Sequence, residues 1–205
     1  MELKKHVRKY FIMGSQNCKK NPEKILEEAA KSGITAFQFR EKGASSLTGN
    51  AKLDLGHRLR DICFRYNILF FINDDIELAA PLEADGIHIG QQDSHIEEVR
   101  EIFPDKYIGL SVSNRQELDD SPVQLADYVG VGPIYSTSTK EDAMQAIGTG
   151  WIRSLRQQHP NLPVVGIGGI NEQNASTVLE AGADGIAVIS AITTSNDIAA
   201  TVRNL

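Results

Sequence analysis

In this chain of 205 residues, three cations and two carboxylates stand out because each closely follows a short apolar run. Arg40 and Lys42 close the stretch Gln38-Phe39-Arg40-Glu41-Lys42, and Lys140 follows Thr137-Ser138-Thr139. Asp74 lies in Asn73-Asp74-Asp75 and Asp93 in Gly90-Gln91-Gln92-Asp93. A guanidinium grips a phosphate through two parallel hydrogen bonds, whereas an ammonium acts as a point charge. Two carboxylates beside such cations suit Mg²⁺, which takes one or two carboxylates and completes its shell with substrate phosphates and water. A second set consists of Gly168-Gly169 and Ile189-Ser190, where backbone N–H groups can meet a phosphate, with the hydroxyls of Thr137, Ser138 and Thr139 as further donors. The chemistry implied is a metal–diphosphate half beside a monophosphate half. No Ser/His/Asp or Cys/His arrangement for nucleophilic catalysis competes with it.

Taken singly, each cluster has a plainer use. Arg40 to Lys42 would serve as a solvated strand end, Asn73-Asp74-Asp75 as a helix cap, and Gly168-Gly169 as a tight turn. His88 reads as a core histidine with satisfied nitrogens, and Cys18 and Cys63 as inert thiols. The clusters gain meaning if one fold brings them to one end.

The elements do predict that. Apolar or β-branched runs at Tyr10–Met13, Ala36–Phe39, Leu69–Ile72, Gly86–Ile89, Tyr107–Leu110, Tyr128–Val131, Val164–Ile167 and Gly185–Ile189 read as strands. Several are apolar throughout, as parallel strands covered on both faces are. Helical stretches separate them. Asn21-Pro22 starts one that Gly33 stops, and Leu55, Leu59, Ile62, Cys63 and Tyr66 share a face of another, weakened by Gly56. Ser94-x-x-Glu97 and Asn114-x-x-Glu117 read as capping boxes, Asn171 as a cap, and Ile76–Leu82 as a stubby helix containing Pro81. A weak repeat recurs at Glu83–Ile87, Leu125–Val129 and Gly182–Ile186, where an Asp turns the chain into a strand.

Eight βα units in series predict an α/β fold, a single-domain (β/α)8 barrel over residues 1–205, near the lower size limit of that architecture. In such a barrel the C-terminal strand ends form the active site, and every cluster above follows a strand. A doubly wound open sheet is the alternative, although no GxGxxG follows the first strand. The long glycine-bounded stretch from Gly132 to about Gly150, carrying Lys140, reads as a lid over the site.

Composition narrows the partners. Lys and Arg total 21 against 27 Asp and Glu, a net charge of −6, which disfavours nucleic acid or an anionic membrane. Two cysteines make no disulfide framework, and no Cys/His spacing suggests zinc. No signal-peptide pattern or membrane-length apolar run is present, so a cytoplasmic protein is expected, with phosphorylated small molecules as partners and a homo-oligomer left open.

The clusters also carry a family resemblance. Tyr10-Phe11-Ile12-Met13-Gly14, Gln38 to Lys42, Asn73-Asp74-Asp75, Ala84 to Gln91, Val131 to Tyr135, Thr137 to Lys140 and Gly166 to Ile170 resemble, in order, the thiamine-phosphate synthase family from about Tyr10 to Ile192. The resemblance implies a (β/α)8 transferase that joins 4-amino-5-hydroxymethyl-2-methylpyrimidine diphosphate to hydroxyethylthiazole phosphate, giving thiamine monophosphate and pyrophosphate. It assigns the pyrimidine diphosphate to Gln38, Phe39, Arg40, Glu41, Lys42, Asn73, Ser111 and Lys140, with Arg40, Lys42 and Lys140 catalytic. It assigns Mg²⁺ to Asp74 and Asp93, and the thiazole phosphate to Thr137, Ser138, Thr139, Gly169, Ile189 and Ser190. The implied route is dissociative: pyrophosphate leaves first and the thiazole nitrogen attacks a pyrimidinylmethyl cation. Ser136 departs from the family, which often has proline there. Two rivals are an isomerase of the same fold, the thiazole tautomerase, which needs no diphosphate–metal half, and a non-catalytic phosphate-binding barrel.

Overall fold

Eight parallel strands run in sequence order and close on themselves, β8 pairing with β1. They are β1 Lys9–Met13, β2 Ala36–Phe39, β3 Leu69–Asn73, β4 Gly86–Ile89, β5 Tyr107–Ser111, β6 Tyr128–Val131, β7 Val164–Ile167 and β8 Gly185–Val188. The computed structural model describes residues 3–137, 139 and 145–205. Among these the helices are α1 Leu3–His6, α2 Pro22–Lys31, α3 Gly49–Arg65, α4 Ile96–Ile102, α5 Arg115–Asp120, α6 Gly150–Gln158, α7 Ala175–Glu180, α8 Ser190–Thr193 and α9 Ile198–Asn204. A 3₁₀ turn, Ile76–Leu78, stands where a helix would link β3 to β4. No described helix is long and apolar enough to cross a membrane.

The strands alternate between two cores because successive side chains point to opposite faces. Tyr10, Ile12, Ala36, Phe71, Tyr128, Val165 and Ala187 fill the barrel interior. Phe11, Met13, Phe37, Phe39, Phe70, Ile72, Ile87, Ile108 and Val129 face the helices. The same alternation carries polar residues inward at the upper strand ends: Gln38, Asn73, His88 and Ser111 share the interior face of β2 to β5.

The sequence repeat has a structural cause at the opposite end. Asp85 Oδ2 accepts the Phe70 N–H at 2.8 Å, Asp127 Oδ2 that of Ile108 at 2.8 Å, and Asp184 Oδ2 that of Val164 at 2.9 Å. Each carboxylate thus binds the preceding strand and meets an arginine: Arg60 at 3.7 Å, Arg100 at 2.6 Å and Arg156 at 2.5 Å. Asp184→Ala leaves the Val164 N–H without its acceptor and removes the ion pairs with Arg156 and Lys4, so it should lower stability by about 2 kcal/mol. Removing Asp119, half of the exposed 2.7 Å pair with Arg115, should cost under about 0.5 kcal/mol. Urea midpoints compare the two, and equal shifts would refute the assignment.

Two local expectations need correction. Ser94 does not cap α4: His95 occupies that place, so the serine hydroxyl sits one residue too early. Asn171 does not cap α7. Its Oδ1 accepts the Gln173 N–H at 3.0 Å and its N–H donates to Asn174 Oδ1 at 2.9 Å, a local turn that delays the helix to Ala175. Gly56 lies within α3, at the propensity cost expected of it, and close to its neighbours: a Cβ there would lie 2.5 Å from Leu82 Cδ1, so Leu82 would have to shift. Asn21 does cap α2, accepting the Lys24 N–H at 2.9 Å, and Asn114 caps α5 through the Glu117 N–H at 2.9 Å.

Candidate active site

A cleft of about 650 Å³ opens over the C-terminal strand ends. Lys42 and Asp93 stand on one side of it, and Gly168, Gly169, Ile189 and Ser190 on the other. Ser111 and Gly130 lie on its floor side, at the ends of β5 and β6.

The charged side is built around Lys42. Its Nζ lies 2.5 Å from Asp74 Oδ2 and 3.6 Å from Asp93 Oδ1. Local backbone aims both carboxylates. Asp74 follows β3 with φ 48°, its N–H bonded to the His88 carbonyl at 2.9 Å. Asp93 spends Oδ2 on the Gly90 N–H at 2.7 Å, which leaves Oδ1 toward Lys42. Burial works against the Lys42 ammonium, but the bond to Asp74 and the charges of Asp74 and Asp93 outweigh it despite repulsion from Arg40, so Lys42 titrates above its ordinary value. Asp74 Oδ2 and Asp93 Oδ1 converge on one point, which the Lys42 ammonium occupies, and among the described residues no third His, Cys, Asp or Glu joins them in a metal-holding group. Arg40 is buried, its N–H donating to the Met13 carbonyl at 3.0 Å and its own carbonyl accepting from Gln16 Nε2 at 2.8 Å.

The opposite side offers backbone and hydroxyls. Gly168 and Gly169 have φ of 96° and 64°, a run that side chains would strain. A Cβ on Gly169 would also come within 2.8 Å of the Ser136 carbonyl. Thr139 Oγ1 lies 3.2 Å from Ser190 Oγ and 3.2 Å from Thr137 Oγ1. The loop after β6 is pinned here: the N–H groups of Ile134 and Tyr135 bond to the carbonyls of Ile167 and Gly168 at 2.8 and 3.0 Å. Its far end returns beside its start, with Ile147 N–H on the Pro133 carbonyl at 2.9 Å. Ser138 and Lys140 lie outside the described residues.

The expected residues therefore divide. Lys42, Asp93, Ser111, Thr137, Thr139, Gly169, Ile189 and Ser190 line one cleft, and Asp74 adjoins it through Lys42. Gln38 lies below, 1% exposed, and Asn73 ends β3 beside His88. Phe39 packs outward against Phe70, ring centroids 6.5 Å apart. The Glu41 carboxylate ties two loops together, accepting the Ser15 N–H and hydroxyl and the Leu47 N–H, the last at 2.8 Å. His88 has both ring nitrogens engaged, Nδ1 with Tyr128 at 3.0 Å and Nε2 with Ser111 at 2.9 Å. Sequence reasoning passed over Tyr10 and Tyr128. Their signal was strand parity, which places both inside the barrel beneath Gln38 and His88.

Comparison with known proteins bears on the family and the fold. The sequence matches the family described as thiamine monophosphate synthase over residues 9–192. It is 58% identical over 206 aligned positions to a thiamine-phosphate synthase of Oceanobacillus iheyensis, covering 100% of both chains. It is 52% identical over 190 positions to one of Anoxybacillus flavithermus, covering 93% of this chain and 88% of the relative. The solved thiamine phosphate pyrophosphorylase of Pyrococcus furiosus superposes with a TM-score of 0.87 at 34% identity, covering 99% of this chain and 95% of that one.

Proposed function

The chain belongs to the thiamine monophosphate synthase family, and on that footing we propose that its cleft holds one substrate in each half. It is a transferase of thiamine biosynthesis, a thiamine-phosphate synthase. The observation that carries the proposal is a single cleft with an ammonium between two carboxylates on one side and a positive-φ glycine pair with hydroxyls on the other. The tautomerase and passive-binder readings find no support: the relatives above are named as synthases, and a tautomerase has no use for the carboxylate–cation half.

In this reading Arg40 and Lys42, with Lys140 from the loop after β6, grip the pyrimidine diphosphate, and Gln38, Asn73 and Ser111 meet it from the barrel. Phe39 and Glu41 contribute as scaffold. Asp74 and Asp93 would hold Mg²⁺, which when bound offsets charge on the diphosphate oxygens. The carbon–oxygen bond to the diphosphate breaks, its electron pair leaves with pyrophosphate, and the thiazole nitrogen lone pair forms the new bond to the methylene carbon. Fixed cations facing the departing charge lower that barrier without reorganising. No protein nucleophile is required. Cys18 and Cys63 suit that account, since burial pushes Cys18 up to about 11 and raises Cys63 as well, keeping both as thiols. The loop from Gly132 to Gly150 would exclude the water that otherwise traps the cation. We read residues 1–205 as one domain working in the cytoplasm.

The glycine half can be tested separately. Gly169→Ala forces a side chain at φ 64° and against the Ser136 carbonyl. It should raise KM for the thiazole phosphate roughly tenfold, about 1.4 kcal/mol, with KM for the pyrimidine diphosphate within about twofold. Equal rises in both constants would contradict the division.

A further inference from the structure

Beneath the cleft, five side chains from five strands form one chain of hydrogen bonds. Gln38 Nε2 donates to the Tyr10 hydroxyl at 3.1 Å, and the Tyr10 and Tyr128 hydroxyls lie 2.9 Å apart. Tyr128 then meets His88 Nδ1 at 3.0 Å, and His88 Nε2 meets Ser111 Oγ at 2.9 Å. Tyr10, Tyr128 and Gln38 are buried, whereas Ser111 lines the cleft. The barrel gives up side chains to make room. A Cβ on Gly109 would lie 2.4 Å from the Tyr128 hydroxyl oxygen and 2.5 Å from His88 Nδ1, and one on Gly130 would lie 3.0 Å from His88 Cε1.

Counting hydrogens gives this chain a direction. An amide nitrogen donates and does not accept, so the Tyr10 oxygen receives from Gln38. The one Tyr10 hydrogen must then go to Tyr128, its other partner, because a buried unpaired hydroxyl is costly. The Tyr128 hydrogen passes in turn to His88 Nδ1. In the neutral ring the remaining hydrogen sits on Nε2 and points at Ser111 Oγ. The Ser111 hydrogen is left to point outward. Burial raises both phenols well above their ordinary values, so each keeps the hydrogen this count needs.

We propose that Tyr10, Tyr128 and His88 are positioning residues that hold His88 in its Nε2–H form and make Ser111 an obligate hydrogen-bond donor into the cleft. The inference rests on the proposed function in one respect: the acceptor is an atom of the pyrimidine diphosphate. A donor aimed in advance needs no reorientation as negative charge develops on the leaving group. The device moves no proton during the reaction. If the Gln38 amide faced Tyr10 with its oxygen instead, every bond would run backwards, His88 would carry its hydrogen on Nδ1, and Ser111 would face the cleft as an acceptor.

Two measurements decide it. Two-bond ¹H–¹⁵N NMR on the substrate-free protein at about pH 8, above the ordinary imidazole pKa of about 6.5, reads which ring nitrogen carries hydrogen. The His88 signals are identified by their loss in His88→Asn. Nε2–H is expected, and Nδ1–H would overturn the proposal whether or not the coupling reaction is confirmed. The second is a double-mutant cycle in the coupling assay. Ser111→Ala should lower kcat roughly 10²-fold and Tyr128→Phe roughly tenfold, with the double variant no worse than Ser111→Ala alone. Tyr10→Phe, which also retains its ring, should follow Tyr128→Phe. Fully additive losses would mean that the tyrosines merely pack, and would also overturn the proposal.

Discussion

Lys42→Met should lower kcat by roughly 10²- to 10³-fold at saturating substrates and Mg²⁺, while KM for the thiazole phosphate stays within about twofold. The ammonium lies 2.5 Å from Asp74 and 3.6 Å from Asp93, and the balance of burial against those two charges keeps it protonated. It stands at the carboxylate side of the cleft, where the proposal places the departing pyrophosphate. Methionine keeps the length of the side chain and removes its charge. The loss should therefore fall on the step in which negative charge develops rather than on binding of the second substrate. Because the Lys42 side chain remains 44% exposed and packs into no apolar core, the thermal midpoint should hold within a few degrees. Steady-state rates of thiamine monophosphate formation measure the effect. A loss under fivefold, or one expressed in the thiazole KM, would remove Lys42 from the leaving-group role.

Asp93→Ala carries the second large effect. The residue has two separable duties: Oδ2 closes a turn on the Gly90 N–H at 2.7 Å, and Oδ1 faces the shared cation position. Alanine ends both. The Mg²⁺ concentration for half-maximal rate should rise more than about tenfold and turnover should fall about 10²-fold, with binding of the thiazole phosphate little changed. Asp93→Asn separates the duties, since its amide oxygen can still accept from Gly90 while the charge is gone. If asparagine restored wild-type Mg²⁺ dependence, the turn would explain Asp93 and its place as a metal ligand would be lost. If Asp93→Ala were unchanged at limiting Mg²⁺, the residue would leave the site altogether.

How much of this was legible in the sequence depended on the physical signal each element carried. Parallel strands covered on both faces are apolar runs, and all eight stood out. The ends of β3 and β5 were read one residue short because Asn73 and Ser111 are polar, yet both continue their strands. Those two residues turn inward at the upper rim, so the shortfall fell where the strands become functional. Helix starts at Ser94 and Asn171 were misread because short polar side chains also close local turns, and sequence spacing cannot tell the two uses apart. Charge type identified Arg40, Lys42, Asp74 and Asp93 as candidates. It could not show that the Glu41 carboxylate serves the Ser15 and Leu47 loops, because an acceptor looks alike whichever donor it meets. Tyr10 and Tyr128 were hidden by their own aromatic rings, which read as core within apolar strands. Only alternation against Gln38 and His88 puts their hydroxyls on one interior path.

The most direct test of the two-halved cleft is product formation with each precursor omitted in turn. With the pyrimidine diphosphate, the thiazole phosphate and Mg²⁺ all present, the purified chain should release thiamine monophosphate and pyrophosphate in equal amounts. Leaving out either precursor should stop thiamine monophosphate formation, and leaving out the thiazole phosphate should also slow pyrophosphate release to a small residual rate. No thiamine monophosphate from the complete mixture, or conversion of the thiazole phosphate on its own, would contradict the account.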